Sequence, residues 1–84
     1  MDKHIIVGVH VIDRNAHAGA VQRVFTEYGC QIKTRIGLHD VHEGYCSPNG
    51  LIVLEMLDTP ETCQMIDALQ KLEGIDTQTM VFDH

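Results

Sequence analysis

The sequence predicts an α+β sandwich of order β-α-β-β-α-β, a four-stranded antiparallel sheet with two helices on one face. Three observations predict it. Short runs rich in β-branched residues alternate with period two over residues 4–13, 30–38, 51–57 and 75–82. Apolar stripes of helical period separate the first run from the second and the third from the fourth. Start and stop residues stand at the borders of these segments. Right-handed crossovers then give a split βαβ arrangement. Strands one and three are expected at its centre, lying parallel.

The first strand is HIIVGVHVID, from His4 to Asp13. Ile5, Val7, Val9 and Val11 share one face; Ile6, Gly8, His10 and Ile12 share the other. Both rows are mostly apolar, so the strand is expected to be central and covered on both sides. Asp13 or Asn15 is placed to cap a helix that runs to Tyr28. Val21, Val24, Phe25 and Tyr28 form its buried stripe. Gly29 stands where a left-handed cap is wanted. Gly19 is expected to bring the helix close to the sheet.

The second strand, Cys30 to Leu38, sets Ile32, Thr34, Ile36 and Leu38 against Gln31, Lys33, Arg35 and Gly37. A long loop with His39, His42 and Cys46 is expected next, closed by a turn at Ser47-Pro48-Asn49-Gly50. The third strand, Leu51 to Leu57, is apolar except for Glu55. Thr59-Pro60-Glu61 then starts a helix: a hydroxyl to cap, a proline for the first position, an acid at the positive end of the dipole. Met65, Ile66, Leu69 and Leu72 are its buried stripe, Gly74 ends it, and Ile75 to Phe82 is the last strand.

Composition narrows the function. The chain has 84 residues and is read as a single domain, residues 1–84, small enough that association would help stabilise it. Twelve acidic residues against six basic give a formal charge of −6. With no basic stripe, direct nucleic-acid binding is not expected. No apolar run is long enough to span a membrane and no secretory signal pattern opens the chain, so the cytoplasm is the expected location. Three widely spaced cysteines, Cys30, Cys46 and Cys63, read as free thiols. Cys30 and Cys63 are expected in the core, and His17 and His84 in solvent.

With both helices on one face, Ile6, Ile12, Leu51, Val53 and Leu57 are left on the open face, an apolar surface that predicts a homo-oligomer, dimer or tetramer. His10, Arg35 and Glu55 are placed on this same face. They read either as a paired charge cluster inside an oligomer interface or as a ligand or metal site between subunits. His39-x-x-His42-x-x-x-Cys46 offers imidazole and thiolate ligands for a transition metal such as nickel, zinc or iron, with Asp40 and Glu43 as oxygen donors. Cys46 and His42 have the types of a nucleophile and its base, but no third orienting group or oxyanion hole accompanies them. An enzyme is not expected.

Val11-Ile12-Asp13, the helix from Ala16 to Tyr28 and Gly29-Cys30-Gln31-Ile32 resemble an ACT-type regulatory domain. That resemblance implies a ferredoxin-like fold, oligomerisation and small effectors bound between subunits. Arg35-Ile36-Gly37, Glu27-Tyr28-Gly29 and Lys71-Leu72-Glu73-Gly74-Ile75 resemble the small regulators of the iron-only hydrogenase system. These are similar in fold to the metal-sensing C-terminal domain of the nickel-responsive repressor. Against that pattern Tyr45 to Asn49 is an insertion, and Ile36 and Leu38 stand where the repressor has its paired histidines, so its nickel site is not carried over. The resemblance implies a regulator that works through a small-molecule effector or a protein partner. The rival readings are a metal sensor or metallochaperone built on His39, His42 and Cys46, and a structural interaction module.

Overall fold

The structure, a computed structural model, describes the backbone of residues 3–42 and 45–83, and the side chains of residues 3–37 and 49–83. Four strands, β1 (Lys3–Val11), β2 (Ile32–His42), β3 (Tyr45–Met56) and β4 (Ile75–Asp83), form one sheet in the order β2-β3-β1-β4. Two helices, α1 (Arg14–Glu27) and α2 (Pro60–Gln70), connect β1 to β2 and β3 to β4. This is the expected ferredoxin-like βαββαβ sandwich, with one correction. β1 and β3 are central but antiparallel, with Val7 opposite Leu54. A helical crossover returns β2 parallel to β1, and the β2–β3 hairpin then reverses the chain.

One face of the sheet carries the core. Ile5, Val7, Val9 and Val11 of β1 and Leu54 and Met56 of β3 pack against Val21, Val24 and Phe25 of α1 and Met65 and Leu69 of α2. The alternation in β1 is visible in its burial, with every odd residue from Ile5 to Val11 buried. Its other face is not covered within the chain: Ile6 and Gly8 are half-buried and His10 is exposed.

The helix borders follow the expected chemistry unevenly. Thr59 caps α2, its hydroxyl accepting from the Thr62 backbone N–H, and Pro60 takes the first turn. The same hydroxyl donates to Gln31 Oε1 at 2.7 Å, and the buried Thr62 hydroxyl donates to the Leu57 carbonyl at 2.6 Å. Asp13 occupies the cap of α1 with φ 51° but makes no side-chain capping bond. Its backbone N–H instead donates to Asn49 Oδ1 at 2.9 Å. Gly29 is not left-handed; it opens a 3-10 turn over Gly29–Gln31. Among the described residues the left-handed glycine is Gly74, φ 74°, beyond the end of α2 and next to β4. A side chain there would meet the His17 ring at 2.5 Å, so His17 is half-buried over Gly74 rather than turned to solvent. Cys30 and Cys63 are exposed thiols, not core residues.

Gly19 lies on the exposed side of α1 with nothing within 4 Å of where a Cβ would stand. It does not mediate close packing, contrary to expectation. Gly19→Ala is therefore expected to stabilise the protein by about 0.5–1 kcal/mol through backbone entropy. Urea unfolding of the two proteins checks it; a loss of stability would show that the small side chain is needed.

The largest departure is the β2–β3 connection. No long loop follows Leu38: β2 runs to His42 and β3 begins at Tyr45, with Val41 opposite Cys46 and His42 opposite Tyr45. Ser47 to Asn49 is not a turn but an irregular step in the ladder, between the pairs His39–Gly50 and Val41–Cys46. Proline is tolerated in a sheet at such a bulge. β1 stops pairing with β3 at Val11–Gly50, so the hairpin continues past the end of the central strand.

Candidate functional site

The candidate site is the open face of the sheet. Cross-strand pairs assign its occupants: Ile6 opposite Met80 and Glu55, Gly8 opposite Gln78 and Val53, His10 opposite Asp76 and Leu51. On β2, Ile36 stands opposite Val53 and Thr34 opposite Glu55. The centre of this face is apolar, built from Ile6, Leu51, Val53, Ile36 and Met80. Ile36, Leu51 and Met80 are 51%, 40% and 55% exposed, values suited to an interface and unusual for an outer surface. Gly8 carries no side chain, which leaves a shallow depression of about 390 Å³ bordered by Ile6, Leu51, Val53 and Met80. The ends of the face are polar. Glu55 with His4 and Lys33 closes one, and His10 with Asp76 the other.

Glu55 Oε2 accepts from His4 Nδ1 at 2.9 Å and from Lys33 Nζ at 3.4 Å. The hydrogen bond from His4 holds the Glu55 carboxyl below the usual carboxylate range; partial desolvation opposes this and the Lys33 ammonium reinforces it. A carboxyl lowered in the folded state contributes stability that is complete above its unfolded value, about 4.3, and is lost as pH falls through the lower folded value. Glu55→Gln is expected to flatten that acid limb while leaving the curve above pH 6 nearly unchanged in shape. Urea midpoints measured from pH 3 to 7 read this out, and an unchanged acid limb would remove Glu55 from it.

The three residues expected together on this face are not together. His10 and Glu55 both lie on it, four residues apart in the β1 register, about 13 Å at the usual strand rise. Arg35 lies on the opposite, helix-covered side, with Cζ 4.9 Å above the Phe25 ring centroid. A register shift between Ile32 and Thr34 is the cause. The extra residue reverses which face each following side chain takes, so Ile32 packs on the core while Thr34 and Ile36 face out. The expected cluster is thereby divided. The side chains of His39, His42 and Cys46 lie outside the described residues. Among the described residues no group of three or more histidine, cysteine, aspartate or glutamate side chains is placed to hold a metal. No helix among them is long and apolar enough to cross a membrane.

Arg35 instead lines a cleft of about 230 Å³ between α1 and the central parts of β2 and β3, together with Arg14, the first residue of α1. Neither the cleft nor Arg14 is signalled by the sequence, because no short motif links positions 14 and 35.

No protein-family pattern and no curated protein sequence matches the chain. Solved structures do. An uncharacterized protein from Thermotoga maritima is 20% identical with a TM-score of 0.79, over 98% of this chain and 100% of that one. A nitrogen regulatory PII-like protein from Thiomonas intermedia K12, bound to ADP, AMP and bicarbonate, is 11% identical with a TM-score of 0.55, over 98% and 94%. A dimeric ferredoxin-like protein from an uncultured marine organism is 12% identical with a TM-score of 0.54, over 98% and 94%. At these identities the likeness is one of fold.

Proposed function

We propose that the chain is a small regulatory, ligand-binding module that works as a homo-oligomer, with a second copy covering the open face of the sheet. One observation carries this reading: the open face has the anatomy of an interface, an apolar centre around the Gly8 depression and polar ends at Glu55 and His10. The dimeric state of one structural neighbour and the nucleotides and bicarbonate bound to another support it. An effector that binds one assembly state better than another would shift the population between them, which is the regulatory step. The finer role, regulation of the iron-only hydrogenase system, rests on the resemblance carried by Arg35-Ile36-Gly37 and Lys71 to Ile75.

Sedimentation equilibrium at micromolar concentration is the test. A mass of at least two chains is expected, and a monomer throughout would end the reading. A thermal-shift series with ADP, AMP and bicarbonate tests the effector component, since a ligand that binds only the folded state must raise its melting temperature.

A further inference from the structure

We propose that the cleft between α1 and the β2–β3 pair is a binding site for a small organic oxyanion, a carboxylate or a phosphate monoester with an apolar body. The protein carries a formal charge of −6, yet Arg14 and Arg35 converge on this one cleft, and no acidic side chain among the described residues lines it. The two cations come from different elements, the first turn of α1 and the middle of β2, so the fold rather than sequence proximity brings them together.

Each cation is positioned by a specific contact. The Arg35 Cζ lies over the Phe25 ring, 4.9 Å from its centroid. A guanidinium held over a ring by this contact still carries N–H donors that can bind an oxyanion in bidentate fashion. The stem of Arg14 lies across Gly50, where an added Cβ would stand 2.8 Å from its Cδ. Gly50 is buried, and its missing side chain is what lets Arg14 reach along the cleft. Gly37 leaves space at the β2 wall, with nothing within 4 Å of where a Cβ would stand. The rest of the lining includes Val21 and Ile52, which would hold the apolar part of the ligand. A volume of about 230 Å³ fits a compact molecule and not a whole nucleotide buried in it.

This inference names the ligand class for the effector component of the proposed function. It concerns the helix-covered side of the sheet, away from the open face, so binding and oligomerisation are read separately. The experiment is amide-resolved NMR titration of the full chain with benzoate and butyrate in one arm and phenyl phosphate and inorganic phosphate in another. Benzamide is the neutral control. The expected result is saturable shifts at the Gly37, Gly50 and Ile52 amides with at least one anion and none with benzamide. Response to carboxylates alone or to phosphates alone supports the proposal and selects the class. Arg14→Gln and Arg35→Gln are each expected to weaken that binding roughly ten-fold or more, with Arg35→Lys weakening it less. Sedimentation equilibrium of the anion-free wild type reads oligomerisation by itself, so a failure of binding and a failure of assembly are distinguishable. The proposal is overturned if no anion shifts these amides. Equal shifts in wild type and both folded glutamine variants also overturn it.

Discussion

Leu54→Ala is expected to destabilise the protein by about 3 kcal/mol or more, within the range for truncating a fully buried leucine. Leu54 is fully buried near the end of β3, opposite Val7 on β1 and Arg35 on β2, on the face covered by the helices. The strands on either side and the helices above are held by the rest of the fold, so the lost side chain leaves a cavity that can collapse only partly. For a domain of this size each kcal/mol moves the melting temperature by about 4–8 °C. Three would lower it by roughly 12–24 °C, and native domains hold only about 5–15 kcal/mol in total. Urea unfolding followed by circular dichroism, at fixed protein concentration because assembly adds to stability, measures the change. Ile36→Ala, at a side chain 51% exposed on the open face, is the control and is expected to cost much less in the isolated chain. A Leu54→Ala loss under about 1 kcal/mol would contradict the position of the core.

The second large effect is expected on assembly. Val53 sits at the centre of the open face, opposite Gly8 on β1 and Ile36 on β2. In the single chain it is only half-buried, so a carboxylate there stays hydrated and the monomer folds. Under a second copy the same carboxylate would lose its water without a partner, at a cost of several kcal/mol. A two-fold interface repeats the penalty on both sides. Val53→Asp is therefore expected to raise the dissociation constant by at least about a thousand-fold, equivalent to about 4 kcal/mol. Sedimentation equilibrium would show monomer at concentrations where the wild type is associated. Val53→Thr keeps the β-branched shape without the charge and is expected to weaken association much less. If Val53→Asp sediments as the wild-type oligomer does, the open face is not the interface.

The features legible in advance share a physical origin: each is set by residues close in the chain. Alternation of Ile5, Val7, Val9 and Val11 declares a strand with one buried row. Val21, Val24 and Phe25, and later Met65 and Leu69, declare helices with one buried stripe. Thr59-Pro60 declares a helix start, and the structure uses both residues as expected. With right-handed crossovers these elements leave few arrangements besides the one observed.

What was misread depended on partners distant in sequence. Ser47-Pro48-Asn49-Gly50 has the local chemistry of a turn, but pairing with β2 draws it into an irregular extension of the hairpin. Asn49 there accepts from the Asp13 backbone N–H, a bond across 36 positions that no local pattern announces. Cysteine is commonly buried, yet the folded topology leaves Cys30 and Cys63 on the outside.

By itself the sequence determined the order of elements, the core and the apolar character of the open face. All three follow from periodicity and from helix-start chemistry, which act over a few residues. Only the tertiary structure decided where the charged groups meet. The register shift between Ile32 and Thr34 turns Arg35 away from Glu55 and His10 and onto Phe25, beside a cleft that Arg14 from the start of α1 also lines. A strand alternates with period two, so a single extra residue moves every later side chain to the other face. That step is settled by how two strands pair, and neither strand alone records it.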